Sequence, residues 1–242
     1  MKLSRHGLAG MVLHLLFSSS IHAQLSSDSL LYKESISSLH RIYINEIGDN
    51  AQIYHGSEYI RNGQKAIGFP YFESDNMLVG SVSYQGNIYM DLHMFYNLVS
   101  DEIIINNYAQ NALITLSSGN VDSFMIGAHA FIQLKTSKAN GLPGDGFYEQ
   151  LSAGDPAMFV RREKRLVIGT GSEETKYIQY NNYLLKFKNV FYAVDSKKSL
   201  LDILNDQQDL LKKYIHSNKL NFKKNLETSL ILTTIYYSGS KH

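Results

Sequence analysis

The chain has no cysteine, no tryptophan and only three prolines in 242 residues. Without cysteine there is no disulfide, no thiolate metal site, no thiol nucleophile and no cysteine to carry a lipid anchor. A chain of this length can still bury a core that stands without covalent staples. An excess of charge of one sign is also missing, with 23 Lys and Arg against 22 Asp and Glu. Nucleic-acid binding normally needs a strongly basic face, so no nucleic-acid partner is expected. After the first turn of the chain, no segment approaches 18 consecutive apolar residues, so no membrane-spanning helix is expected in the mature protein.

What is present points to an exported, sheet-rich protein. Hydrophobic residues make up 44% of the chain, too many for a disordered protein. There are 17 tyrosines and 11 phenylalanines, residue types that suit a pleated, half-buried surface. Lys2, Arg5 and His6 open the chain with positive charge, Leu8 to Phe17 is apolar, and Ser18 to Ala23 is small and polar. That order reads as a secretory signal peptide over residues 1–23, cut after Ala23, with Ile21 and Ala23 in the two recognition positions. The apolar run, about ten residues, is too short to cross roughly 30 Å of hydrocarbon. Removing Lys2 and Arg5 takes 23 basic residues to 21 against 22 acidic ones, a mature net charge of about −1.

Residues 24–242 read as one α+β domain. An N-terminal helix is expected within 24–50, with Leu31, Ser35, Leu39 and Ile42 on one side and Ser26 or Ser27 as cap. A first β meander follows over 51–135, then a loop over 136–146 rich in Gly, with Pro143. A second meander is expected over 147–195, opening with a hairpin that turns at Ala153 to Pro156. A helical tail over 196–242 has Ser196 or Ser199 as one cap and Asn225 as another. The predicted sheet is mainly antiparallel: curved, a sandwich or a partial barrel.

The segments "YHGSEY", Tyr54 to Tyr59, and "YQGNIY", Tyr84 to Tyr89, share the pattern Tyr-x-Gly-x-x-Tyr. With Gly56-Ser57 and Gly86-Asn87 as two-residue loops, each becomes a hairpin clasped by facing tyrosines. Similar corners are expected at Gly119-Asn120, Asn181-Asn182 and Lys188-Asn189. Strict alternation beyond the second turn puts Ile88, Met90, Leu92, Met94 and Tyr96 on a core face. Tyr89, Asp91, His93, Phe95 and Asn97 fall on a mixed, partly wet face.

Taken together, "IYHGSEY", "GFPYFESD", "GSVSYQGNIYMDLHMFYNLVSDEIII", "GLPGDGFYEQL" and the tail from Tyr192 to Asn225 resemble a group of exported bacterial proteins of the Bacteroidota type, uncharacterised and β-rich. The resemblance covers most of the mature chain and rests on turns, strand pairs and a basic helical tail. It implies a location in the envelope, in the periplasm or at the outer membrane. The group has no assigned activity and supplies no catalytic residues.

Candidate chemistry is sparse. Asp91 and His93, two apart on a strand, would need a third ligand such as His55 or His129 to hold a metal, and no HExxH spacing supports one. No metal and no other cofactor is therefore expected. No G-x-S-x-G occurs, and "GTGSEET", Gly169 to Thr175, reads as a plain loop. The acidic pairs Asp101-Glu102 and Glu173-Glu174 are background for a β-rich chain. No catalytic residue is assigned. The weak ligand-binding candidates are Tyr84, Tyr89, Asp91 and His93. The densest basic run, "RREKR", offers a patch of Arg161, Arg162, Lys164 and Arg165 for an acidic partner or anionic lipid. A charged edge strand, protected from aggregation, is the simpler reading of that run. The expected function is non-catalytic binding or scaffolding in the envelope, with an envelope protein or lipid as partner. A carrier of an apolar or lipid ligand is the first alternative, and a hydrolase with an unrecognised site the second.

Overall fold

The computed structural model describes residues 52–240 except 62, 64 and 109, all within one compact unit, Asp49–His242. The expected signal segment and the expected N-terminal helix lie outside the described residues. Eleven strands form one antiparallel sheet. They are β1 (Ser57–Glu58), β2 (Leu78–Tyr84), β3 (Asn87–Asn97), β4 (Glu102–Asn107), β5 (Ala112–Thr115), β6 (Val121–Ile126), β7 (His129–Leu134), β8 (Gly146–Gln150), β9 (Ala157–Val167), β10 (Lys176–Phe187) and β11 (Val190–Ala193). Their order is β1-β5-β4-β3-β2-β6-β7-β8-β9-β10-β11, so β1 and β11 are the edges and the sheet does not close on itself. Three helices follow: α1 (Lys197–Ile203), α2 (Gln208–Ser217) and α3 (Leu226–Gly239). The α+β, mainly antiparallel fold expected from the sequence is what the structure shows.

The sheet curls strongly, and its aromatic residues show why. β3 and β7 stand three steps apart in the strand order, roughly 14 Å if flat. Yet the rings of Tyr96 and Phe131 are 5.0 Å apart. Phe124 stacks on Phe131 at 4.7 Å and meets Phe147 edge-on at 5.2 Å. Large rings filling one face pull these strands round a common centre. The same face of β9, β10 and β11 carries Met158, Leu185 and Val194, which pack on Leu200, Leu211, Ile215 and Leu230 of the helices. The opposite face is covered by the 136–146 loop, where Leu142 packs with Tyr148, Phe159, Leu184 and Phe191.

A strap over residues 67–73 ties the curl together. Ile67 bridges β10 at Lys176, and Tyr71 bridges β3 at Asn97. Between them the Lys164 amine donates to the carbonyls of Phe69 (3.1 Å) and Tyr71 (2.5 Å). Beyond the end of β8, the Lys164 N–H reaches across to the carbonyl of Leu98 at 2.9 Å.

Several turns differ from expectation. In the second Tyr-x-Gly-x-x-Tyr segment the loop is Gln85-Gly86, not Gly86-Asn87. Both have positive φ, at 51° and 78°, as a type I′ turn requires. Tyr84 therefore faces Asn87, and Tyr89 faces Val82. The first segment is no hairpin: Ser57 and Glu58 pair with Thr115 and Ile114 of β5. Gly56 is needed there because a Cβ would lie 2.1 Å from the Thr115 carbonyl oxygen. Ser118–Asn120 forms a 3-10 turn, but it carries the chain from β5 to β6 across three intervening strands. Asn181-Asn182 is no corner at all and lies within the unbroken β10. Lys188-Asn189, with φ 49° and 66°, is the I′ turn between β10 and β11.

A bulge on β3 defeats simple alternation. Val82 pairs with Tyr89 and Gly80 with Leu92, so three steps on β3 match two on β2, with Asp91 at φ 57°. The faces exchange at that point. Tyr89 joins Met94 and Tyr96 inside, while Ile88 and Met90 are 55% and 56% exposed. Their assignment to the core is corrected accordingly.

At the C-terminal end, Ser196 and Ser199 both serve, as a reciprocal capping box on α1. Asn225 occupies the cap position of α3 without a side-chain cap bond. α3 does not bury a simple leucine–isoleucine stripe. It buries Ser229, Leu230, Thr233, Thr234 and Tyr237, and Ile235 faces outward. The Thr233 hydroxyl donates a hydrogen bond to the Ser229 carbonyl at 2.7 Å.

Candidate functional site

The β3–β4 turn, Leu98 to Asp101, folds against the outer half of β9, Arg161 to Arg165, around a concavity of about 260 Å³. β9 lies between β8 and β10, yet β8 pairs only with Phe159 and Val160, so Arg161 to Arg165 is bonded to β10 on one side and meets the β3–β4 turn on the other. Alternation along the run holds, and each residue has its own task. Arg161 contacts Asp101 at 3.7 Å and Glu163 at 3.1 Å, with its guanidinium over the Tyr148 ring. Arg162, only 8% exposed, points to the helix-covered face. Lys164 holds the strap, and burial pulls its amine below the usual range. Arg165 lies over the Tyr180 ring at 4.9 Å. These cations are therefore not one open patch, because three of the four are engaged internally.

Asp101 is the most heavily worked carboxyl of the concavity. It accepts the Tyr96 hydroxyl at 2.6 Å and the Phe147 N–H at 3.3 Å. Burial pushes it above its ordinary range, against the opposing pull of Tyr96 and Arg161. Tyr96 is itself pushed well upward, first by burial and then by the neighbouring Asp101.

Behind the concavity runs a chain of ionic groups. Glu73 of the strap meets His129 Nε2 at 3.1 Å, and His129 Nδ1 lies 2.5 Å from Glu149. The other oxygen of Glu149 takes Arg162 Nε. Arg162 grips Glu227 of α3 through both terminal nitrogens, at 3.1 and 3.2 Å, and Tyr183 donates to Glu227 at 3.0 Å. A bidentate guanidinium between two carboxylates is how a sheet interior tolerates such charge.

The four ligand-binding candidates do not come together. Tyr84 and Tyr89 are buried, the former accepting from Asn120 Nδ2 at 3.3 Å. Asp91 sits on the bulge and His93 is exposed, its ring edge-on to Tyr108 at 5.7 Å. Among the described residues, no group of three or more His, Asp or Glu is placed to hold a metal ion. Gly169 to Thr175 is the plain loop expected, joining β9 to β10. Sequence reasoning missed the ionic chain because Glu73, His129, Glu149, Arg162 and Glu227 obey no spacing. One signal was legible: Glu149 stands in an otherwise buried run and shares the facing of Phe147.

Comparison with protein-family models, with curated proteins and with solved structures finds no match to this chain.

Proposed function

We propose that this is an exported protein of the bacterial envelope that binds a ligand or partner rather than transforming one, and that the β9 concavity takes an anionic group. The observation that carries this reading is Arg165. It is exposed at the concavity, its guanidinium carbon lies 4.9 Å from the centre of the Tyr180 ring, and it forms none of the ion pairs among the described residues. Arg161, Asp101 and Glu163 brace the site around it, and a guanidinium is well suited to carboxylate or phosphate. Charge lines this concavity, while the apolar faces of β3, β6, β7 and β8 are filled by one another's rings, which favours anion binding over an apolar carrier.

Native mass spectrometry of the protein from an exporting host tests both parts. The expected result is a chain beginning at Gln24 with a bound anionic small molecule that Arg165→Ala loses. A chain retaining residues 1–23 would sink the export reading. A bound neutral lipid, or an anion unaffected by the substitution, would sink the site.

A second reading rests on Asp101. A carboxyl raised by burial, 2.6 Å from a tyrosine hydroxyl and beside Arg161 and Glu163, is arranged as a general acid would be. Hydrolysis of p-nitrophenyl glycosides or esters that disappears in Asp101→Asn would favour a hydrolase. No turnover in the wild-type chain would remove that reading.

A further inference from the structure

We infer that the outer edge of β10, over Ile178 to Asn182, is a docking site for a short extended peptide of a partner protein, bound as an added strand. The binding groups are backbone groups of β10, although this edge borders the concavity, because Tyr180 lies under Arg165 and Asn182 Nδ2 donates to Glu163 at 3.4 Å.

The backbone geometry of β10 sets the argument. Within a strand, a residue's N–H and C=O point to the same side, and the side alternates along the chain. The Tyr177 N–H donates to Ile67, and the Tyr183 carbonyl accepts from the Val194 N–H at 2.9 Å. Tyr177 and Tyr183 therefore face away from β9, and so do Gln179 and Asn181 between them. The pairing of β10 with β9 runs from Lys176 to Lys186 without a shift, so the alternation is unbroken. On the outer side, β11 pairs only with Leu184 to Phe187, and the strap bridges only Lys176. Among the described residues, no backbone group meets the N–H or C=O of Gln179 or Asn181. Both are exposed, as are Tyr180 and Asn182.

The edge is already used for docking at both ends. Ile67 donates to Thr175 at 2.8 Å and accepts from Tyr177 at 3.0 Å, as an added strand does. The strap then leaves the edge at Gly68, whose φ is 79°. What lies between is a recess of five residues, about 17 Å long. Its flanks choose the occupant. If a second copy of the chain paired antiparallel through the same recess, each chain's Ile67 and β11 would fall on the other's β10. Two recessed edges cannot meet, whereas a single extended segment of about four or five residues fits between the flanks. Gln179, Asn181 and Asn182 line the recess, so a hydrophilic peptide suits it. The short recess also shields this edge from open-ended aggregation.

Hydrogen exchange of the full mature chain is the first test. Gln179 and Asn181 amides should exchange fast, while those of Ile178 and Tyr180, bonded to β9, should be slow. Slow exchange at Gln179 and Asn181 in the protein alone would mean the edge is already filled, and would overturn the inference. Peptides are then selected from a random displayed library on the same chain. The expected result is a peptide that slows the Gln179 and Asn181 amides and binds Asn181→Pro at least about tenfold more weakly, as loss of an edge bond predicts. Proline is tolerated at a strand edge whose N–H faces outward. If that variant does not fold, N-methylation of the selected peptide at alternate residues should weaken binding to the wild-type chain by a similar factor. Failure to select any peptide that protects these two amides would overturn the inference. So would a dimer of the chain that Asn181→Pro dissolves, because the occupant would then be a second copy.

Discussion

One sheet is stabilised here in two different ways. Across β3, β6, β7 and β8 its curled face is filled by rings, with Tyr96, Phe124, Phe131 and Phe147 in mutual contact. Across β9, β10 and β11 the same face is aliphatic and is covered by three helices through Leu200, Leu211 and Leu230. The first half seals itself, because aromatic side chains are large enough to meet across a curl. The second half presents Met158 and Leu185 there, and the helices supply the layer that covers them. Glu149, Arg162 and Glu227 lie at the seam, where β8, β9 and α3 meet. The two halves are joined there by ion pairs rather than by apolar contact.

The hardest blow to that arrangement is Arg162→Met. It leaves Glu149, whose side chain is 5% exposed, with His129 but without its guanidinium partner, and should cost about 3–5 kcal/mol in urea unfolding. Adding Glu149→Gln should recover part of the loss, and no recovery would mean the pair is not what joins the halves. Next come the cores themselves. Phe131→Ala should cost about 3–5 kcal/mol and Leu211→Ala about 2–4. If the halves are packed independently, the double variant should equal the sum within about 0.5 kcal/mol. A larger discrepancy would show that the two cores are coupled.

Smaller effects are expected elsewhere. Ser196→Ala removes the side chain that accepts the Ser199 N–H at 3.1 Å, and should lower stability by about 1 kcal/mol through the helical half alone. The slightest effect concerns pH. Burial lowers the Lys164 amine in the folded state, so its contribution is lost as pH falls through the folded value. It is fully present only above the unfolded value, so stability should gain on the alkaline side. Lys164→Met should abolish that gain in melting curves recorded across alkaline pH, while an unchanged profile would show that the strap amine is not its source.

Much of this fold could be read from the chain because much of it is local. Val-, Ile- and Tyr-rich alternation marks strands, and Lys188-Asn189 turns as its residue types suggest. Ser196 and Ser199 cap as serines do. The misreadings have physical causes too. Asn181-Asn182 has turn-forming residues, but eleven paired positions along β9 and β10 outweigh that preference. Gln85 enters the left-handed region despite its side chain, which moves the hairpin by one residue. One extra residue at Asp91 then reverses every inward and outward assignment before it.

By itself, the sequence determined the antiparallel α+β class, the helical C-terminus and the absence of covalent staples, since periodicity, caps and composition act over a few residues. Only the tertiary structure decided which strands are edges, that Arg162 lies inside, and that Asp101 meets Arg161 across a sequence distance no motif spans. Pairing and burial depend on distant partners, and the free energy of a buried charge is set by whatever folding brings beside it.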